Sequence, residues 1–324
     1  MRRRTLLQFA SSVAAAWPLS SLGESFPSKS ISLVVPYPAG GPTDTLTRIL
    51  AEAMQRSLGQ SVLVENVTGA SGAIGVTKVA RAAPDGYTLS IGHGSSHITI
   101  WAVQPGNFEL QRDMTPVILW VSNPSFLSAR RGLEPKTLKE LIAWLKANPG
   151  KASMGGAFGT LGHIASLELK QRLGVDFQFV PYRGGAPAMQ DLISGQIDLL
   201  IDQAANSLPQ LRSDKIKAYA VLASERLRVA PEIPTVDEAG LPGFYVSTWH
   251  GMWAPRGTPP AVIERLNAAA RDALASDKVK TRFDDLGQDI PPPEMQTVAG
   301  LAAFQKAEVE RWTPLLKAAN LKTE

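Results

Sequence analysis

The chain has 324 residues, of which 44% are hydrophobic and 19% charged, ample apolar material for a folded core. It has no cysteine, which excludes disulfides, thiol nucleophiles, thiolate metal sites and a lipidated cysteine anchor. The formal charge is +4, but Arg2, Arg3 and Arg4 lie ahead of any folded element; without residues 1–23, 30 basic residues face 29 acidic ones, and no nucleic-acid footprint is left.

Residues 1–23 read as a cleavable export signal. The stretch after the arginines is only moderately apolar and contains Pro18, so it is a poor membrane span. Arg3-Arg4-Thr5-Leu6-Leu7-Gln8 fits the twin-arginine pattern, and Ser21-Leu22-Gly23 offers small residues at the cleavage spacing. An ordinary secretory signal with a chance arginine pair is the plainer reading. Either one sends the mature chain to the periplasm. No later stretch approaches about 18 apolar residues, so the mature chain is expected to be soluble.

Strand and helix patterns then alternate. Strands are predicted at Ile31–Val35, Val62–Val64 and Thr88–Ile91, with helices at Thr45–Leu58 and Ala73–Ala83 between them. This order predicts a mostly parallel sheet with helices on both faces. The pattern restarts with a strand at Val117–Val121, ended by Asn123-Pro124. Helices follow at Thr137–Ala147, Gly159–Leu173 and Pro187–Ser194, and strands at Ala152–Met154, Phe177–Val180, Ile197–Ile201 and Lys217–Leu222. Beyond Trp249 only helices are predicted, at Pro260–Ala275, Lys278–Leu286 and Leu301–Ala319. Two α/β units and a helical tail suggest two lobes, and ligands of such sheets sit outside the carboxyl ends of the strands.

Two loops carry the chemistry. In Val34-Val35-Pro36-Tyr37-Pro38-Ala39-Gly40-Gly41-Pro42-Thr43-Asp44 a strand ends on glycines and a helix begins at Pro42. A helix start after a glycine turn offers unpaired N–H donors to an anion. No Gly-Lys-Ser/Thr follows, so this is no nucleotide P-loop. Asp44 is either a first-turn acid that satisfies backbone donors or a carboxylate that reaches a donor on the ligand. Ser153-Met154-Gly155-Gly156-Ala157-Phe158-Gly159-Thr160 repeats the design, with His163 one turn into its helix. One helix start per lobe would hold a carboxylate from two sides. Tyr37 and Phe158, each beside a glycine loop, are candidate pocket walls. Asp202 follows the strand Ile197–Ile201 and either borders the cleft or caps a helix.

Taken in order, these stretches resemble the Bug-type extracytoplasmic solute receptors of tripartite tricarboxylate transporters. Further matching segments are Leu58-Gly59-Gln60, Val64-Glu65-Asn66, Gly69 to Gly75, Ala82 to Leu89, Thr137 to Ile142, Ala147 to Lys151, Gly159 to His163, Val180 to Gly184, Pro234 to Gly243 and Trp249-His250-Gly251. The resemblance runs from about residue 29 to residue 316. It implies an α/β, two-lobed periplasmic-binding-protein fold of the type II, Venus-flytrap kind, with a ligand cleft between the lobes. Lobe 1 would take 24–123, lobe 2 124–248, and 249–324 would return to lobe 1. The implied role is non-catalytic capture of a small carboxylate, without a cofactor, by a monomer that serves a large and a small membrane subunit. The loops Tyr37 to Asp44 and Gly155 to Thr160 would embrace the ligand. Candidate binding residues are Tyr37, Pro38, Ala39, Gly40, Gly41, Asp44, Ser95, Ser96, Ala157, Phe158, Gly159, Thr160, His163 and Asp202. One region departs from the family: Gly92 to Trp101 keeps His97 but has Ile100 or Trp101 where the family has Asn, which implies an altered pocket edge.

Rival chemistries leave weaker traces. Thr68-Gly69-Ala70-Ser71-Gly72-Ala73-Ile74-Gly75 has the look of the nucleotide loop of NAD(P)-dependent short-chain dehydrogenases. Ala73 stands where those oxidoreductases have glycine, and no tyrosine is followed four residues on by lysine; close packing of a helix on the sheet is the preferred reading. His93 and His97 are four apart, a metal spacing only on a helix, while Gly94-Ser95-Ser96 reads as a loop. Gly-x-Ser-x-Gly does not occur.

Overall fold

Two long antiparallel strands tie the molecule's two sheets into one ladder. The computed structural model describes residues 26–99, 101 and 108–318, so the stretch 1–23, read as an export signal, lies outside the described residues. The first sheet holds β1 (Ile31–Val35), β2 (Val62–Asn66), β3 (Thr88–His93), β9 (Ser247–Pro255) and the first part of β4 (Met114–Arg130). The second holds the rest of β4 with β5 (Ser153–Ala157), β6 (Gln178–Tyr182), β7 (Leu199–Gln203) and β8 (Ile216–Val221). β1 pairs β2 and β3 in parallel, and β5 pairs β6 and β7 in parallel. β3, β4, β7, β8 and β9 meet antiparallel. The sheet is therefore mixed rather than mostly parallel.

The difference comes from two segments that local patterns hide. β4 does not stop at Asn123-Pro124. Pro124 is the last residue paired with β9, opposite Ser247, and Ser125 begins the pairing with β7 opposite Gln203. The missing proline N–H thus falls where the strand changes partners, a place a proline can occupy. β9 is buried on both faces from Thr248 to Pro255, but His250 and Gly251 interrupt the apolar run that normally marks such a strand. Gly251 is required there: a Cβ would lie 2.5 Å from the ring of Trp253.

Each sheet has its own core. Leu46, Leu50 and Met54 of the Pro42–Leu58 helix pack with Leu266 and Ala270 of the Pro260–Ala275 helix over the first sheet. Leu141, Leu145 and Leu169, from helices Leu138–Ala147 and Leu161–Leu173, pack with Phe177 on the second. Leu301 of the last helix, Val298–Ala318, returns to Val34, Leu119 and Trp253 on the first sheet. The turn at Gly69–Gly75 proves to be a packing device. A Cβ at Gly72 would stand 3.1 Å from Ser96 and 3.3 Å from Pro36, and one at Gly75 would stand 2.6 Å from the Val67 carbonyl oxygen. Those glycines are filled by protein, which removes the basis for a dinucleotide loop there.

Candidate functional site

Four helices open onto one cavity. They are Pro42–Leu58, Leu161–Leu173, Gly185–Ser194 and Ala204–Arg212, whose N-caps are Gly41, Thr160, Gly184 and Gln203. All four N-cap residues line the cavity. None of these starts is capped by the side chain of its own N-cap residue, although helices away from the cavity are: Thr137 caps Leu138–Ala147 and Ser276 caps Asp277–Asp285. First-turn N–H groups have no partner within their own helix, so uncapped starts leave donors and partial positive charge facing the space. Among the described residues no lysine or arginine lines it. An anion there would be held by backbone and hydroxyl donors.

The inner cavity measures about 70 Å³. A second one of about 350 Å³ adjoins it across His93, Ser95, Leu161 and Thr248. One water needs about 10–15 Å³ on this scale, so the inner space suits a group of about five to seven water-sized parts. The outer space is walled by Trp249, Phe304 and Tyr245.

The two predicted loops share a device that their residue types concealed. Gly40, at φ 76°, donates its N–H to Asp44 Oδ2 at 2.8 Å. Gly159, at φ 70°, donates its N–H to His163 Nδ1 at 3.2 Å. In each loop a left-handed glycine, costly for any other residue, is fastened by the side chain four positions on. Asp44 is buried and also receives Arg48 Nε at 3.0 Å and Asn66 Nδ2 at 3.0 Å. Burial works against its charge, but the bonds from Arg48, Gly40 and Asn66 outweigh it and hold the carboxyl below its ordinary range. His163 lies between the rings of Phe158 and Phe179, and burial lowers its pKa. Neither side chain lines the cavity; both shape the loop that does. Asp44→Ala should therefore cost about 2 kcal/mol of stability, because it removes a buried carboxylate held by donors from Gly40, Arg48 and Asn66, and should weaken binding only through a loosened loop. A urea midpoint unchanged from wild type would remove Asp44 from this role.

Among the other predicted residues, Tyr37, Pro38, Gly41, Ser95, Ala157, Thr160 and Asp202 line the inner cavity. Ala39, Gly40, Ser96, Phe158 and Gly159 do not. Ser96 instead bonds His97 Nδ1 at 2.9 Å, behind the wall. Phe158 and Gly159 serve the contact between the two halves. Ser71 Oγ donates to the Phe158 carbonyl at 2.8 Å and Thr99 Oγ1 to the Gly159 carbonyl at 3.0 Å. Ser95 Oγ accepts the Leu161 N–H at 3.1 Å. Trp101, at the departing segment, turns away: its indole N–H donates to the Ser96 carbonyl and its ring meets Phe108.

The wall behind the first loop is built of neutral groups. The Tyr37 ring stacks on His93 with centroids 4.9 Å apart, and its hydroxyl is buried beside Ser96. Burial raises the phenol pKa and keeps it protonated. His93 meets His250 edge-on at 5.4 Å, and His250 Nε2 lies 3.1 Å from Thr43 Oγ1 at the helix start. Burial pushes His93 down to about 3, so it faces the cavity uncharged. Among the described residues Asp202 is the one carboxylic acid on the inner lining. Its Oδ1 accepts the Gln203 N–H at 2.8 Å and its Oδ2 accepts Asn206 Nδ2, and burial raises it to about 6. It borders the cavity and holds two groups at the start of the Ala204–Arg212 helix.

Several lining residues escaped sequence reasoning. Gly184 and Gly185 belong to Val180-Pro181-Tyr182-Arg183-Gly184-Gly185, the same strand, glycine and helix order as the two predicted loops, so that signal could have found them. Gln203 opens the Ala204–Arg212 helix, which Pro209 disguises. His93 and Thr248 come from strand ends and Ser125 from the middle of β4, where the strand changes partners, and nothing in their neighbours marks them.

The family model for the tripartite tricarboxylate transporter family receptor matches residues 46–321. Among solved structures, MatC from Rhodopseudomonas palustris with bound malate is 41% identical, with a TM-score of 0.84 over 90% of this chain and 100% of that one. The periplasmic binding protein BugD is 39% identical, with a TM-score of 0.87 over 92% of this chain and 100% of its own. The R. palustris protein Rpa4515 with adipate is 32% identical, with a TM-score of 0.86 over 92% of this chain and 99% of that one.

Proposed function

The chain belongs to the tripartite tricarboxylate transporter receptor family, and we propose that it captures a small carboxylate outside the cytoplasm for a transporter with a large and a small membrane subunit. The observation that carries this reading is the convergence of four uncapped helix starts on a cavity free of cationic side chains. Such donors bind a carboxylate through charge-assisted hydrogen bonds, each worth about 1.5–3 kcal/mol. Two relatives of the same fold carry malate and adipate, acids that two opposed donor sets suit.

The receptor works as a monomer of two lobes, 24–123 with 249–324 and 124–248. The chain crosses between them in β4 and β9, at Pro124 opposite Ser247, and the lobes turn about that pair of strands. The pocket residues that contact the acid are Tyr37, Gly41, Ser95, Ala157 and Thr160, joined by Gly184 and Gly185. The chain reaches the periplasm through the export signal at 1–23, of the twin-arginine kind. Among the described residues no helix is long and apolar enough to cross a membrane.

A thermal-shift screen against a panel of organic acids tests the reading. A ligand at a hundred times its dissociation constant stabilises the native state by about 2.7 kcal/mol, or about 5 °C or more for a chain of this size. At least one mono-, di- or tricarboxylate should reach that shift, with its neutral amide inert. A panel with no acid above the buffer control would defeat the proposal.

A further inference from the structure

We propose that the acid bound here carries a hydrogen-bond donor, a hydroxyl or an ammonium, beside its carboxylate, and that Asp202 with Gln203 receives that donor. This deepens the receptor reading and rests on it. The cavity is not uniform. Three of its sides offer N–H groups from the helix starts at Gly41, Thr160 and Gly184. The fourth side, at the end of β7, adds side-chain acceptors to its helix start. Asp202 and Gln203 are each about nine-tenths buried and both line the space. Among the described residues the buried Gln203 side-chain oxygen has no hydrogen-bond partner, and a buried acceptor left unmade is costly.

Asp202 has acceptor capacity to spare. A carboxylate has about four lone-pair positions, and the protein supplies two donors, the Gln203 N–H and Asn206 Nδ2. Gly185 is shaped around the group: a Cβ there would stand 3.0 Å from both carboxylate oxygens, so glycine lets the helix start press against the acid. A plain dicarboxylate would set its own negative charge against this wall and leave Gln203 unmatched. An acid with a donor at the neighbouring carbon turns the same wall into a binding surface. The relative with bound malate shows that a hydroxy acid suits this fold.

The experiment is calorimetric titration of wild type, Asp202→Asn and Gln203→Met with three acids of one carbon skeleton: succinate, malate and aspartate. Wild type should bind malate or aspartate at least about tenfold more tightly than succinate, the ratio that one charge-assisted hydrogen bond sustains. Malate ahead of aspartate identifies the hydroxyl as the donor, and the reverse order identifies the ammonium. Asp202→Asn, which keeps an acceptor for the Gln203 N–H, should shrink that preference to about threefold or less. Gln203→Met should weaken the preferred acid while leaving succinate within about twofold. Succinate bound as tightly as both others by wild type overturns the inference while the receptor reading stands. A preference that survives both substitutions overturns the assignment to Asp202 and Gln203. No binding of any of the three, together with a silent acid panel, overturns the receptor reading with it. If Asp202→Asn fails to fold, the wild-type ratios and Gln203→Met still decide.

Discussion

Lowering the pH from 7.5 to 4.5 is expected to remove on the order of 5 kcal/mol from the folding stability of this protein. The cause is three histidines folded in their neutral form. Burial holds His93 and His97 down to about 3 and His250 well below its ordinary value, and the neighbouring His93 adds to the effect on the other two. His97 is enclosed by Ser90 and Ser96 on its two ring nitrogens and by Trp253, whose ring centroid lies 4.0 Å away. The sign follows from the folded values lying below the unfolded value of about 6.5. Above about 6.5 neither state takes up a proton, and the stability is fully present. Below it the unfolded chain binds protons that the folded chain refuses, so stability is lost as pH falls towards the folded values. Each histidine costs roughly 1.4 kcal/mol per pH unit in that window, hence about 3 kcal/mol by pH 4.5. Asp202 works the other way. Its folded value is raised to about 6, so it carries a cost above that pH which is relieved on acidification, returning about 2 kcal/mol by pH 4.5. Asp289, also raised, has the same sign. The lowered carboxyl of Asp44 contributes above its unfolded value of about 4 and is lost only beneath it. Urea midpoints at half-unit steps of pH, read at constant m-value, measure the sum. His97→Gln should flatten the slope below pH 6 by about half, since one of three titrating rings is gone and Asp202 already offsets another. A midpoint that stays level from pH 7.5 to 5 would contradict the buried neutral histidines.

What could be read in advance was local, and what could not was contact between distant segments. The apolar run Ile31–Val35, the glycines after it and Pro42 spell a strand, a turn and a helix start within a dozen residues. The same logic reaches Gly159-Thr160 and covers Gly184-Gly185 equally well. Residue type alone does not say where a side chain turns. Asp44 and His163 have the chemistry of ligand-binding groups, yet each folds back four positions to its own left-handed glycine. Pro124 looks like a terminus because a proline cannot donate; it is tolerated because the strand exchanges β9 for β7 and β8 at that residue. β9 was invisible because its burial depends on strands and a helix far along the chain. His250 and Gly251 become intelligible only with His93 and the Trp253 ring in place.

Gly184→Val is expected to weaken ligand binding about a hundredfold while leaving the unliganded fold within about 0.5 kcal/mol of wild type. Gly184 begins a helix on the second sheet, and Pro38 lies in the loop of the first. A Cβ at Gly184 would stand 2.7 Å from Pro38 Cδ and 3.3 Å from Cγ. The proline ring cannot rotate aside as a long side chain would. Gly184 itself is extended at φ 167°, so valine brings no backbone strain, and its effect is confined to the approach of the two loops. The hydrophobic cores under each sheet do not include either residue. Holding the loops apart separates the helix starts at Gly41 and Gly184 that would close on one carboxylate. Two charge-assisted hydrogen bonds cannot then be made at full strength, a loss of about 3 kcal/mol at the lower end of their usual worth, which corresponds to about a hundredfold in affinity. Titration calorimetry with the acid found by the thermal screen measures the binding, and urea denaturation without ligand measures the fold. Equal affinity in variant and wild type would mean that the loops need not meet to bind. A matching fall in unliganded stability would mean that the Pro38 contact belongs to the folded core and not to the grip on the ligand.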